Sequence, residues 1–151
     1  MLYDPKSFRV TALLDFDFAS ISHPSYEFLR SFDSNGPQIL GLSGEEDAEE
    51  LQLRDAKLHG FPSPLPTSSK GGVDWESAKA FEDALERSGA LRPRTIVGIE
   101  DVADVDAVFG KIKPWRLTNE DIVARQSDEV KEAYAVQCQK QLKNMLDRHG
   151  F

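Results

Sequence analysis

The sequence predicts a mainly α fold with a small N-terminal β-hairpin, and three observations carry that prediction. Beyond residue 24, apolar residues recur at helical spacing in successive stretches. Those stretches are bounded by Ser, Asp, Gly and Pro where helix caps and stops belong. Ahead of them, Phe8, Val10, Ala12 and Leu14 alternate with Arg9, Thr11 and Leu13, as strand residues do. With 151 residues, 40% hydrophobic and 29% charged, the chain has the length and composition of one globular domain over 1–151.

The elements follow in order. Pro5 stands in Tyr3-Asp4-Pro5-Lys6-Ser7 where a type I turn favours it, so residues up to Asp15 read as a hairpin. With the Asp-aromatic segment after it, this N-terminal unit runs over 1–18. Pro24 opens a first helix with the apolar face Tyr26, Phe28, Leu29 and Phe32, and Ser34-Asn35-Gly36-Pro37 stops it. Ser43 and Glu46 have capping-box spacing before Ala48, Leu51 and Leu58, and Gly60 ends a helix of about 14 residues. From 61 to 72 the prolines, serines and glycines predict a loop or lid.

A helical region then occupies 73–151. Asp74 caps a helix carrying Trp75, Ala78, Phe81 and Leu85, with Gly89 at its C-terminal cap. After Leu91-Arg92-Pro93, Val102, Val105, Phe109 and Ile112 repeat at 3, 4 and 3 residues until Pro114. The last helix carries Val130, Tyr134, Cys138, Leu142, Met145 and His149 on one stripe, with Thr118 or Ser127 as its cap.

Composition narrows the function classes. The 26 acidic against 18 basic residues give a net charge of -8, which repels nucleic-acid phosphates and anionic membrane surfaces, so neither is an expected partner. No apolar run approaches the roughly 20 residues of a spanning helix, and Met1 to Arg9 lacks the basic start and apolar core of a signal peptide; the expectation is cytoplasmic. One cysteine, Cys138, leaves no internal disulfide and no CxxC motif. On its apolar stripe it reads as a packing residue.

The stretch with chemical content is Val10-Thr11-Ala12-Leu13-Leu14-Asp15-Phe16-Asp17-Phe18-Ala19, followed by His23-Pro24 and Glu27-Phe28-Leu29. Asp15 and Asp17 are two apart, so on a strand both face one side and could grip a hard cation through oxygen; otherwise they end a strand and begin a turn. His23 sits by the same turn, either as an acid–base group or as a backbone hydrogen-bond partner. Glu27, in the first turn of a helix, also suits the helix dipole. The run Glu45-Glu46-Asp47, Glu49-Glu50 reads as a solvated helix start or as a surface for a cationic substrate. Ser69-Lys70-Gly71-Gly72 lacks the GxxxxGK[ST] order of a phosphate-binding loop.

This stretch resembles the aminoglycoside phosphotransferase family, in which an aliphatic strand runs into an Asp-aromatic pair followed about ten residues later by a helix opening on Pro-x-x-Asp/Glu-Leu. Leu91-Arg92-Pro93-Arg94-Thr95-Ile96, Gly98-Ile99-Glu100 and the final Arg148-His149-Gly150-Phe151 are similar to the C-terminal helical region of fungal members. The resemblance implies the C-terminal helical subdomain of the kinase-like fold. It also implies that Asp15 is the counterpart of the magnesium-binding Asp, with Mg2+ there, and that Glu27 is the acid that orders the family's catalytic loop. Family members place acceptors among C-terminal helices, so Trp115 and Tyr134, with Glu27, are the expected substrate-pocket residues, while Trp75 and Phe81 suit a core better.

His23, His59 and His149 are followed by Pro24-Ser25, Gly60-Phe61 and Gly150-Phe151, so none begins a His-x-Asp catalytic loop. Nor does the sequence leave room before Asp15 for a nucleotide-binding lobe with its strand lysine. Three readings follow. The first is a catalytically incomplete kinase remnant that keeps a small-molecule pocket, with a complementary lobe on another chain as its partner. The second is a repurposed enzyme doing ATP-independent acid–base chemistry on a small metabolite with Asp15, Asp17 and His23. The third is an interaction protein in which an apolar face meets a second copy or a partner.

Overall fold

Asp47, and not Ser43, caps the first long helix of the computed structural model, which describes residues 2–12, 21–30, 36–68 and 72–151. Its carboxylate accepts from the backbone N–H groups of Glu49 and Glu50, while the Glu50 side chain accepts from the Asp47 N–H, a complete capping box. Ser43 and Glu46 bond to each other one turn earlier: the Ser43 N–H and hydroxyl both donate to Glu46 Oε1, the latter at 2.6 Å. Gly44 between them has φ +82°, outside helical space, so the expected helix start is a turn and the helix is shorter than expected.

The architecture is mainly helical with an N-terminal antiparallel hairpin, as the periodicities require. The hairpin pairs β1 (Leu2–Asp4) with β2 (Arg9–Ala12) in the register Tyr3↔Val10 and Asp4↔Arg9. Asp4 closes the turn by accepting from the Lys6 N–H at 2.9 Å and the Ser7 hydroxyl. Phe8, expected in the strand, lies in the turn at φ +54° and sets its ring edge against Tyr3.

The helices are α1 (Tyr26–Leu29), α2 (Ala48–His59), α3 (Trp75–Ser88), α4 (Ile99–Ile112), α5 (Trp115–Thr118), α6 (Glu120–Val123) and α7 (Asp128–Arg148), with a 3-10 turn at Pro93–Thr95. Local chemistry explains the limits of α3 and α7. Asp74 accepts from the Ser77 N–H, Gly89 takes the left-handed conformation that ends α3, and Ser127 accepts from the Val130 N–H. Phe32 of the expected first helix lies outside the described residues.

Two apolar clusters hold these elements. Phe28, Leu29, Ile39, Leu58, Ile96, Ile99 and Ala103 join α1, α2 and α4 through the chain before α2 and the 3-10 turn. Leu53, Ala56, Val73, Trp75 and Ala78 join α2 to α3, with Phe61 and Leu65 of the proline-rich segment packed on them. Trp75 is 2% exposed and meets Phe61 edge-on, so it is a core residue; Phe81, expected beside it, is 37% exposed.

The apolar stripe read along α4 is not its core face. Ile99 and Ala103 are the buried residues, whereas Val105, Phe109 and Ile112 are exposed. On α7, Cys138 and Met145 are buried as expected, and Gln141 is buried beside them because its amide donates to Glu45 at 2.6 Å. Arg94 and Arg92 draw the 3-10 turn onto α3 through Glu82 and Glu86. Among the described residues no helix is long and apolar enough to cross a membrane.

Candidate functional site

Residues 38–43 cross the molecule without helix or strand, and side chains from α2, α4 and α7, with one α1 carbonyl, bond to their backbone. Ile39 N–H donates to the Phe28 carbonyl at 2.9 Å. Lys57 Nζ donates to the Gln38 carbonyl at 3.1 Å and Arg54 Nε to the Leu40 carbonyl at 3.0 Å. Leu42 N–H donates to Asp104 Oδ1 at 3.1 Å, and Asn144 Nδ2 to the Ser43 carbonyl at 3.3 Å. These bonds anchor a strap whose backbone groups would otherwise lack secondary-structure partners.

The strap borders a cleft of 610 Å³ between α2 and α4. Its floor is apolar, from Ile39, Leu53, Ala103 and Met145, and its rim is charged. Five acids line it, Glu46, Asp47, Glu49, Glu50 and Asp106, against three bases, Arg54, Lys57 and Lys111. This volume and this mixture suit a small organic molecule.

The acidic run at the start of α2 has internal partners. Glu45 pairs with Lys140 at 2.8 Å and accepts from Gln141, and these hydrogen bonds hold its carboxyl below the ordinary value. Burial works against ionising Glu46, but hydrogen bonds from the Ser43 side chain and backbone and the Gly44 backbone outweigh it and lower its pKa. Glu49 accepts from the Val73 N–H and the Trp75 indole. Hydrogen bonds thus orient Glu46 and Glu49, two of the acids that line the cleft.

Asp15 and Asp17, and with Asp15 the expected Mg2+ position, lie outside the described residues. Among the described residues no three His, Cys, Asp or Glu side chains are grouped to hold a metal ion. His23 is exposed, and its Nδ1 lies 2.8 Å from the hydroxyl of Ser25, a fully buried residue, and accepts from the Ser25 N–H at 3.3 Å. Accepting that N–H places the proton of the neutral ring on Nε2. His23 thereby braces the turn whose carbonyls start α1, and Glu27 is exposed in the first turn of α1.

Trp115 is 66% exposed and lines a shallow concavity with Lys113, Thr118, Asn119 and Glu120. Tyr134 lies under the Arg116 guanidinium, 5.1 Å from its ring centre; burial, then the contact with Cys138, pushes its phenol up. Arg116 thus brings α5 onto α7 beside Trp115. The larger cleft is lined by none of Trp115, Tyr134, Glu27 or His23. Its strap, Gln38 to Ser43, carries no periodic signal that sequence reasoning could have used. No protein family matches this sequence, and neither does any curated protein or solved structure.

Proposed function

We propose that this chain is a small-molecule-binding protein that does not transfer phosphate by itself, and that its ligand enters the cleft between the strap, α2 and α4. The observation that carries this reading is the cleft: 610 Å³ over an apolar floor, with acidic and basic side chains along its walls. The excess of acids over bases there, within a chain of net charge -8, favours a neutral or cationic organic molecule with an apolar body. The resemblance to the aminoglycoside phosphotransferases supports the same reading, since that family places acceptors among its C-terminal helices. Each histidine lacks the Asp two residues on that a kinase catalytic loop needs, which argues against phosphoryl transfer by this chain alone.

Amide chemical shifts followed during titration with benzylamine, and separately with benzoate, test the proposal. Saturable shifts at Gly41, Leu42, Lys57 and Lys111, stronger for benzylamine and weakened by salt, are the expected result. Shifts confined to other surfaces, or none with either probe, would overturn it. A parallel titration with ATP and magnesium reads nucleotide binding independently of the cleft.

A further inference from the structure

Val102, Val105, Phe109 and Ile112 recur on α4 at 3, 4 and 3 residues, the seam by which one helix lies along another. Packing within the chain leaves most of this seam uncovered. Val105, Phe109 and Ile112 are 55%, 65% and 62% exposed, while Val102 packs against the core at the N-terminal end of the seam.

The charges beside the seam identify what covers it. On a helix of 3.6 residues per turn, Asp106 lies on one flank of the seam and Asp101 on the other, and Lys113, the cap one residue past α4, follows on the Asp106 side. Among the described residues neither the Asp106 nor the Lys113 side chain has an ion pair or hydrogen bond within the chain, although the Lys113 backbone N–H donates to the Phe109 carbonyl. Two copies of α4 packed antiparallel about a twofold axis bring like flanks together, so each Asp106 meets the partner's Lys113. A parallel pair brings opposite flanks together and sets Asp101 against the partner's Asp106, a repulsive contact. In the antiparallel register centred near Phe109, the partner's Ile112 enters the gap between Val105 and Phe109.

We propose that α4 is a homodimer interface, formed antiparallel with a second copy of this chain and oriented by Asp106 and Lys113. Three exposed apolar side chains with two symmetric ion pairs are small against the roughly 800 Å² per partner of a standard interface, so the dimer forms at micromolar concentrations. Asp106 also lines the cleft, so the dimer is read from mass alone, with no ligand present.

Sedimentation velocity of the full chain from about 1 to about 300 µM tests it. The expected mass rises to that of a dimer, and Phe109→Glu stays monomeric with unchanged circular dichroism, since Phe109 supports no core. Asp106→Lys weakens the dimer roughly tenfold, and adding Lys113→Asp to the same chain restores it at unchanged net charge. A wild type that stays monomeric throughout would overturn the proposal, leaving the seam to another partner. So would a dimer indifferent to Phe109→Glu, or a charge swap that fails to restore pairing; the swap decides alone if Phe109→Glu does not fold.

Discussion

Gly41 lies so close to α4 that a Cβ on it would stand 2.4 Å from the carbonyl oxygen of Ala103 and 2.7 Å from the Cβ of Ala107. Only a residue without a side chain lets the strap rest on the helix and border the cleft. Gly41→Ala is therefore expected to push the strap outward and destabilise the protein by about 1–3 kcal/mol. Urea denaturation reads the loss, and accelerated amide exchange at Ile39 and Leu42 would locate it. Unchanged stability would mean that the strap does not pack on α4 this closely.

Glu49 ties the start of α3 to α2, since one carboxylate oxygen faces both the Val73 N–H at 3.3 Å and the Trp75 indole N–H at 3.4 Å. Glu49→Ala leaves buried donors without that acceptor and is expected to cost about 1–2 kcal/mol. Glu49→Gln, which keeps a carbonyl oxygen, is expected to cost less. Thermal unfolding followed by tryptophan fluorescence compares the two, and equal losses would remove the hydrogen bonds from the account.

Glu82 is nearly enclosed, and burial raises its pKa against the pull of Arg94 and Arg92. Arg94 Nε is 3.0 Å from Glu82 Oε1, which accepts no hydrogen bond. Removing the nearer cation by Arg94→Ala leaves the carboxylate only Arg92, at 3.8 Å, and is expected to destabilise by about 1–3 kcal/mol at neutral pH. The double variant Arg94→Ala, Glu82→Met is expected to recover part of that loss, because no charge is left behind. Chemical denaturation of the set measures the coupling; additive losses would count against it.

The Glu46 carboxyl is held below its ordinary 4.5 on folding. Its contribution is then present above pH 4.5 and disappears as the pH falls through the lowered folded value. Glu46→Gln is expected to be roughly 0.5 kcal/mol less stable than wild type at neutral pH, with the gap closing in acid. Melting temperatures of both proteins from pH 7 to about pH 3 check this, and a gap independent of pH would assign the effect to packing.

Much of the fold is legible in the sequence because its signals are local. Asp74 and Gly89 bound α3, Ser127 starts α7, and Pro114 stops α4, each through groups within a few residues of the helix end. Of the expected site residues, His23 was legible as a turn-bracing histidine, since its partner Ser25 is two residues away. The start of α2 was not, because Ser43–Glu46 and Asp47–Glu50 offer the same spacing and a local rule cannot rank them. Gly44 in the left-handed region favours the second pair.

Helical periodicity establishes that α4 has an apolar stripe, but not that the core takes the adjacent Ile99 and Ala103 face and leaves Val105, Phe109 and Ile112 outside. The cleft lies still further from sequence, because the hydrogen bond from Leu42 to Asp104 spans 62 residues and the one from Asn144 to Ser43 spans 101. Helix existence and several helix ends were thus determined by the chain's own short-range chemistry. Which faces are buried, and where a cavity remains, only the tertiary structure decided, because these depend on close packing between segments that no local pattern brings together.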